Sequence, residues 1–247
     1  MPGHDMRRRA HALNLLRQRE FAVRVQRCPF CGPSLVVRLV RDETGVRCVR
    51  CGASAVHLAI GHALRRHVPR FDACEACELS ARGPLAGYLV RHAHSVALSE
   101  YLPGAASGVM RDGVRCEDVQ NLSYADASFD LVTHTEVLEH VANDARAFAE
   151  LRRVLRPRGI MLFTVPLHEG PTRERARLHN GEIEHLQPPA YHGDPLHGGA
   201  AILVFRDYGT DIVARLLQAG FAEARIEPAS ASATHWGYAR AVILARR

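Results

Sequence analysis

Four short apolar runs, each closing on a polar or acidic residue and each followed by a helical or turn-rich stretch, do most to limit what this chain can become. In order they are Phe71 to Glu78, Ser95 to Glu100, Gly113 to Asp118 and Phe129 to Thr133, the last leading into His134-Thr-Glu136 and Glu139-His140. Short apolar runs alternating with helix-length segments specify strands joined by helical crossovers. In an open α/β sheet, ligands bind beyond the carboxyl ends of the strands. Glu78, Glu100 and Asp118 would therefore stand along one rim of such a sheet.

The connecting segments agree. Gly83 allows a tight turn before Pro84, which suits the first turn of a helix to His92. Asn143 caps a second helix with Asp144 in its first turn, a buried stripe of Phe148, Leu151, Val154 and Leu155, and a stop at Pro157-Arg-Gly159. Gly159 to Pro166 is continuously apolar, as a central parallel strand should be. A last helix is expected from Asp207 to Ala219, ended by Gly220. Two final strands follow, Ala222 to Pro228 and Arg240 to Ala245, paired around His235-Trp236-Gly237.

Glu117-Asp118 with Leu122, Asp126-x-Ser-Phe-Asp130, Glu136-Val-Leu-Glu-His-Val141 and Leu151-Arg-Arg-Val-Leu-Arg-Pro-Arg-Gly159 together resemble class I S-adenosylmethionine-dependent methyltransferases. The resemblance runs from about Phe71 to the C-terminus and is strongest from Glu117 to Pro166. It implies a Rossmann-like seven-stranded, mostly parallel sheet with helices on both faces and an antiparallel last strand. It also implies S-adenosyl-L-methionine as cofactor. In that family the acid closing the third strand meets the adenine and the run after the fourth strand lines the methionine end. Those roles fall on Asp118, with Val119 beside it, and on His134.

Glu78 aligns with the family's first acid, and Ser80 and Gly83 fall in the loop after it. That loop is usually glycine-rich, whereas here only Gly83 remains, which bears on how the methionine part is held and on whether Arg82 meets its carboxylate. Independently of the resemblance, Glu100 follows Glu78 at about the 20-residue interval of a ribose-binding carboxylate. Tyr101 beside it could cover the adenine. His140 reads as structural or cofactor-proximal.

Upstream, Cys28-Pro-Phe-Cys31 and Cys48-Val-Arg-Cys51 carry sixteen residues between the inner cysteines. Two C-x2-C turns at that spacing present four thiolates to a Zn2+ ion. A closed four-sulfur site leaves no position for substrate, so the metal is assigned a structural role in a small N-terminal zinc ribbon. Cys74 and Cys77 repeat the spacing on a strand, where residues three apart point to opposite faces, and read as packed thiols.

The expected organisation is a basic helical arm at 1–26, the ribbon at 27–55, a linking helix at 56–70, and the methyltransferase domain at 71–247. Residues 1–70 carry 14 Arg against 4 acids, while 71–247 carry 18 Arg against 22 acids. Such asymmetry suits an anionic partner such as nucleic acid, or docking on the chain's own acidic domain or that of a sister subunit in a homodimer. No apolar run approaches the ~20 residues that span a bilayer, and the Arg-rich start lacks the apolar centre of a signal peptide. A cytoplasmic protein with no membrane partner is expected.

About forty residues, 167–206, separate the fifth strand from the last helix, and insertions of that length are usually functional lids. This one holds His168, His179, Glu184-His185, Tyr191-His192-Gly193-Asp194 and His197. His192 or His185 is the expected base, oriented by Asp194 or Glu184, with Tyr191 alongside. The same group could instead anchor the lid or bind a second metal. The expected activity is methyl transfer to O, N or C of a small-molecule acceptor, whether metabolite, natural product or glycan. The rivals are RNA methylation using the basic ribbon, and a cofactor-fold protein that does not methylate.

Overall fold

A computed structural model describes residues 21–40, 45–194, 200–228 and 240–247. At the N-terminal side, β1 (Ala22–Cys28), β2 (Gly32–Arg38) and β3 (Val46–Cys48) form an antiparallel sheet in that order. The expected helical arm is corrected at its end: residues 22–26 belong to β1. Val23 and Val25 alternate with polar neighbours and pair with Val37 and Leu35, a period of two that β-branched residues favour in strands. Residues 1–20 and the turn at 41–44 lie outside the described residues.

Helix α1 (Ala55–His67) starts at a capping box in which the Ser54 side chain accepts from the backbone of His57 and the His57 ring accepts from Ser54. It ends with Arg65, Arg66 and His67, where positive charge meets the helix C-terminus. A 3-10 turn at Phe71–Ala73 shortens the first expected strand to β4 (Glu75–Glu78). There follow α2 (Pro84–His92), β5 (Ser95–Glu100), β6 (Met110–Arg111), β7 (Val114–Cys116), β8 (Phe129–Thr135), α3 (Asp144–Val154) and β9 (Leu155–Thr164). Asn143 caps α3 as expected, accepting from Arg146 N at 3.0 Å. The strand after it begins at Leu155, because the residue preceding Pro157 is disfavoured in a helix.

The 167–206 segment is built of nested antiparallel pairs. These are β10 (Arg173–Glu174) with β15 (Arg206–Asp207), β11 (Ala176–His179) with β12 (Glu182–His185), and β13 (Tyr191–Asp194) with β14 (Ala200–Leu203). The chain finishes with α4 (Ile212–Gln218), β16 (Glu223–Glu227) and β17 (Val242–Arg246). The expected turn at His235 to Gly237 lies outside the described residues.

The main sheet runs β16-β17-β9-β8-β4-β5-β7-β6. Strands β4, β5, β7, β8 and β9 are mutually parallel, and β17 is antiparallel to both β9 and β16. The seven expected strands are therefore present, and the two-residue β6 adds an antiparallel edge. Alternation along the central strands divides the core. Leu131, Ile160, Leu162 and Leu244 face α1, α2 and the ribbon residues Phe30, Val36 and Val46, while Val132, Met161, Phe163 and Ile243 face α3 and α4. The ribbon shares one hydrophobic core with the sheet.

The 167–206 segment is fastened by Arg206, which is 2% exposed. Its guanidinium donates to the carbonyls of Val141 at 2.6 Å and Ala142 at 2.8 Å, and it lies 3.3 Å from Glu174 and 3.7 Å from Asp144. Asp144 also accepts from Tyr208 and from Arg215.

Candidate active site and four-cysteine cluster

The rim is assembled where β4, β5, β7 and β8 end. Glu78 is buried and accepts from the Thr133 hydroxyl of β8. Burial pushes its carboxyl up to about 8, against that hydrogen bond, and the charge of Glu100 adds to the rise. Glu100 closes β5 and ties down the loop after β4: Ser80 Oγ and Ala81 N both donate to its Oε1, at 3.1 and 2.8 Å. Gly83, at the N-cap of α2, has φ 101°. A Cβ there would meet only His57 Nε2, 3.7 Å away, so conformation rather than crowding calls for glycine.

Of the acidic pair after β7, Glu117 is structural. It is buried and takes Arg115 Nε at 2.7 Å, Ser123 N at 2.8 Å and the Ser123 hydroxyl. Asp118 is half-buried, with Oδ1 accepting from Gln120 N at 2.9 Å, and Val119 beside it is buried. Residues 100 and 118 thus follow adjacent parallel strands, β5 and β7, in which Glu100 pairs with Cys116. Tyr101 is 60% exposed.

His134 is fully buried in β8 and stacks on Phe163 at 4.7 Å. Burial lowers its pKa to about 3, so it is neutral. Neither ring nitrogen has a hydrogen-bond partner among the described residues. Buried polar atoms in that condition are rare in folded proteins, and a water or a bound group commonly satisfies them.

The histidines of the 167–206 segment separate. His185 is exposed at the end of β12, and its neighbour Glu184 is held by Arg177 through bonds of 2.8 and 3.1 Å. Adjacent strand residues face opposite ways, so Glu184 and His185 are not brought together as a pair. His192, on β13, stands against the rim: its ring lies edge-on to His140 with centroids 5.0 Å apart, and its Nδ1 is 3.9 Å from Glu139 Oε1. Burial, and then Arg240, lower the His192 pKa. Asp194 is the last residue of β13. Tyr191 is largely exposed. His197 lies outside the described residues.

Two residues were not legible as site residues. Glu139 is 1% exposed with both oxygens lacking a hydrogen-bond partner among the described residues, and burial followed by the charge of Glu136 pushes its carboxyl well up. His57, on α1, lies beside the Gly83 turn. Ser54 three residues before His57 signals the helix start but not that contact.

In the ribbon, Cys28 Sγ and Cys51 Sγ are 3.6 Å apart, as are Cys31 and Cys48, and all four sulfurs lie within 4.8 Å of one another. A tetrahedral Zn2+ with Zn–S bonds of ~2.3 Å has sulfur–sulfur edges of ~3.8 Å, so the four thiols fit that ion. Cys74 and Cys77 are buried free thiols outside this cluster.

Parallel strands ending in acids on one rim, with a glycine turn into the first crossover helix, define a Rossmann-like fold. Residues 80–163 match the family model described as a methyltransferase domain. The fold is similar to that of the 1,6-didemethyltoxoflavin-N1-methyltransferase of Burkholderia thailandensis, solved with 1,6-didemethyltoxoflavin and S-adenosylhomocysteine. That likeness has TM-score 0.52 and 20% identity, and covers 78% of each chain. An S-adenosylmethionine dependent methyltransferase from Mesorhizobium loti aligns at TM-score 0.49 and 20% identity, over 76% of this chain and 98% of that one. No curated protein matches the sequence. The chain thus carries a segment, residues 80–163, that matches a methyltransferase-domain model, together with a four-cysteine cluster at its N-terminal side. No helix among the described residues is long and apolar enough to cross a membrane.

Proposed function

We propose that the chain transfers a methyl group from S-adenosylmethionine to a nucleophilic O, N or C atom of a small-molecule acceptor held beneath the 167–206 lid. The observation that carries this reading is the seating of the β13–β14 hairpin, whose His192 meets Glu139 and His140 just beyond the end of β8. A lid placed there encloses the methionine end of the rim and favours a compact acceptor.

Glu100 would take the ribose hydroxyls. Asp118 and Val119, with Tyr101 alongside, would take the adenine, and Glu78, Ser80, Gly83 and His134 the methionine part. His134 is the best supported of these, because its unsatisfied ring nitrogens suit a polar ligand. The bound sulfonium supplies an electrophilic methyl. The protein's part is to hold the acceptor in line with it, exclude water, and give the acceptor's proton a route out at the His140–His192 end. We also infer that Cys28, Cys31, Cys48 and Cys51 hold a structural Zn2+, which completes the ribbon's share of the core.

Calorimetry with S-adenosylmethionine, followed by mass spectrometry of candidate small acceptors, tests the reading. A product heavier by one methylene supports it. RNA that is methylated in preference, with binding that falls steeply as salt rises, overturns the acceptor class.

A further inference from the structure

Glu139 is the least explained side chain on the rim. It is buried, and neither oxygen has a hydrogen-bond partner among the described residues, although a carboxylate removed from water without donors is strongly disfavoured. Two imidazoles stand against it. His140 Nε2 and His192 Nδ1 are each 3.9 Å from Glu139 Oε1, beyond hydrogen-bond reach. One ligand atom from each residue lies within 4.8 Å of the others. Around an ion with bonds of ~2.1 Å, neighbouring ligand atoms stand ~3.0 to 3.4 Å apart, so inward shifts of under about an ångström at each ligand would close the triad on a metal.

The surroundings orient these groups. His140 Nδ1 is 2.8 Å from the carbonyl of Leu203. With Nδ1 donating, Nε2 presents its lone pair toward Glu139, the arrangement by which metal-binding histidines are usually held. Leu203 lies on β14, and His192 pairs with Ile202 of that strand. One hairpin thus supplies one of the imidazoles and orients the other.

We propose that Glu139, His140 and His192 bind a divalent first-row transition-metal ion that fastens the β13–β14 hairpin to the rim and keeps coordination positions open toward the acceptor. Two imidazoles and one carboxylate suit that class of ion better than Ca2+ or Mg2+. Ion binding stands on its own, and only the acceptor's place at the open positions rests on the methyl-transfer reading. His192 is then a ligand rather than a free base. A coordinated acceptor hydroxyl gives its proton to solvent more readily than a free one, and the oxygen lone pair forms the new bond to the methyl carbon as the carbon–sulfur bond breaks, with its electron pair remaining on sulfur.

The test uses the full-length chain with its four-cysteine site already filled by Zn2+, titrated with Mn2+ followed by electron paramagnetic resonance and with Co2+ followed by absorption. One further ion per chain is expected. Glu139→Gln and His192→Ala should each weaken its binding by at least roughly tenfold, the low end of the loss seen when even an outer partner is removed. His192 lies on a lid strand rather than in the core, so its variant keeps the fold. Uptake of neither ion, or uptake unchanged in both variants, overturns the proposal. Calorimetry with S-adenosylmethionine on the same samples separates the two readings: cofactor binding without metal uptake sinks the metal site alone, and metal uptake without cofactor binding sinks the methyl-transfer reading alone.

Discussion

Replacing Arg206 with Met removes the tie between the 167–206 segment and the start of α3 while leaving an unbranched apolar stem. The guanidinium is 2% exposed and makes short bonds to the carbonyls of Val141 and Ala142. Each acceptor left buried without a donor costs about 1 to 3 kcal/mol. Asp144, 3.7 Å away, loses part of its compensation but keeps Tyr208 and Arg215, so the loss should fall near the 3 to 5 kcal/mol typical of breaking a buried ion pair, at about 3 kcal/mol. Urea unfolding followed by circular dichroism would read it as a lower midpoint at unchanged slope. Because the freed carbonyls flank the 3-10 turn that carries Glu139 and His140, amide exchange over residues 138–142 should quicken as well. A destabilisation below about 1 kcal/mol, in the range of surface substitutions, would refute the view that Arg206 anchors the lid.

Removing the ribbon metal with a chelator, or making Cys28→Ser, should release one Zn2+ and lower the melting temperature of the whole domain, because Phe30, Val36 and Val46 share a core with α1 and the sheet; thermal scans with zinc analysis check this. Glu100→Gln should weaken S-adenosylmethionine binding about tenfold, equivalent to about 1.4 kcal/mol, measured by calorimetry. Gly83→Val should do the same, and the strain of a β-branched residue at φ 101° should cost about 1 to 3 kcal/mol of stability, read as a lower melting temperature. Glu227 gives a pH signature: burial would raise its carboxyl, but His67 and then Arg225 draw it down to about 2. A carboxyl lowered in the folded state stabilises above its ordinary value near 4.5 and loses that contribution as pH falls from about 5 toward 2. Glu227→Gln should flatten this part of the melting-temperature profile relative to the parent protein.

Much of the fold was legible because local signals agreed with the global arrangement. Asn143, the apolar stripe behind it and Pro157 mark α3, and the alternation in β8 and β9 divides their residues between the two faces. Other features were decided by tertiary pairing. Val23 fits a helical stripe as well as a strand, and only its pairing with Val37 selects the strand. The last helix begins at Ile212 rather than Asp207 because Arg206 and Asp207 are drawn into the pairing with β10. Glu100 and Asp118 could be placed on one rim from strand order alone. The orphaned carboxylate of Glu139 could not be foreseen, since its surroundings depend on a hairpin that returns fifty residues later. Glu184 and His185 looked like a dyad as neighbours in sequence, yet the pleat of β12 and the reach of Arg177 part them.

Ser54 sits at a junction whose reach exceeds its size. It bridges to Arg47 in the cysteine-bearing module, begins the helix behind it, and positions His57 beside the Gly83 turn. Trimming the first fifty-five residues to obtain a minimal catalytic fragment would therefore uncap α1 and uncover an oily face. It would also unseat a neighbour of the Gly83 turn, so the shortened protein should fail as a catalyst for reasons unrelated to what the removed module recognises.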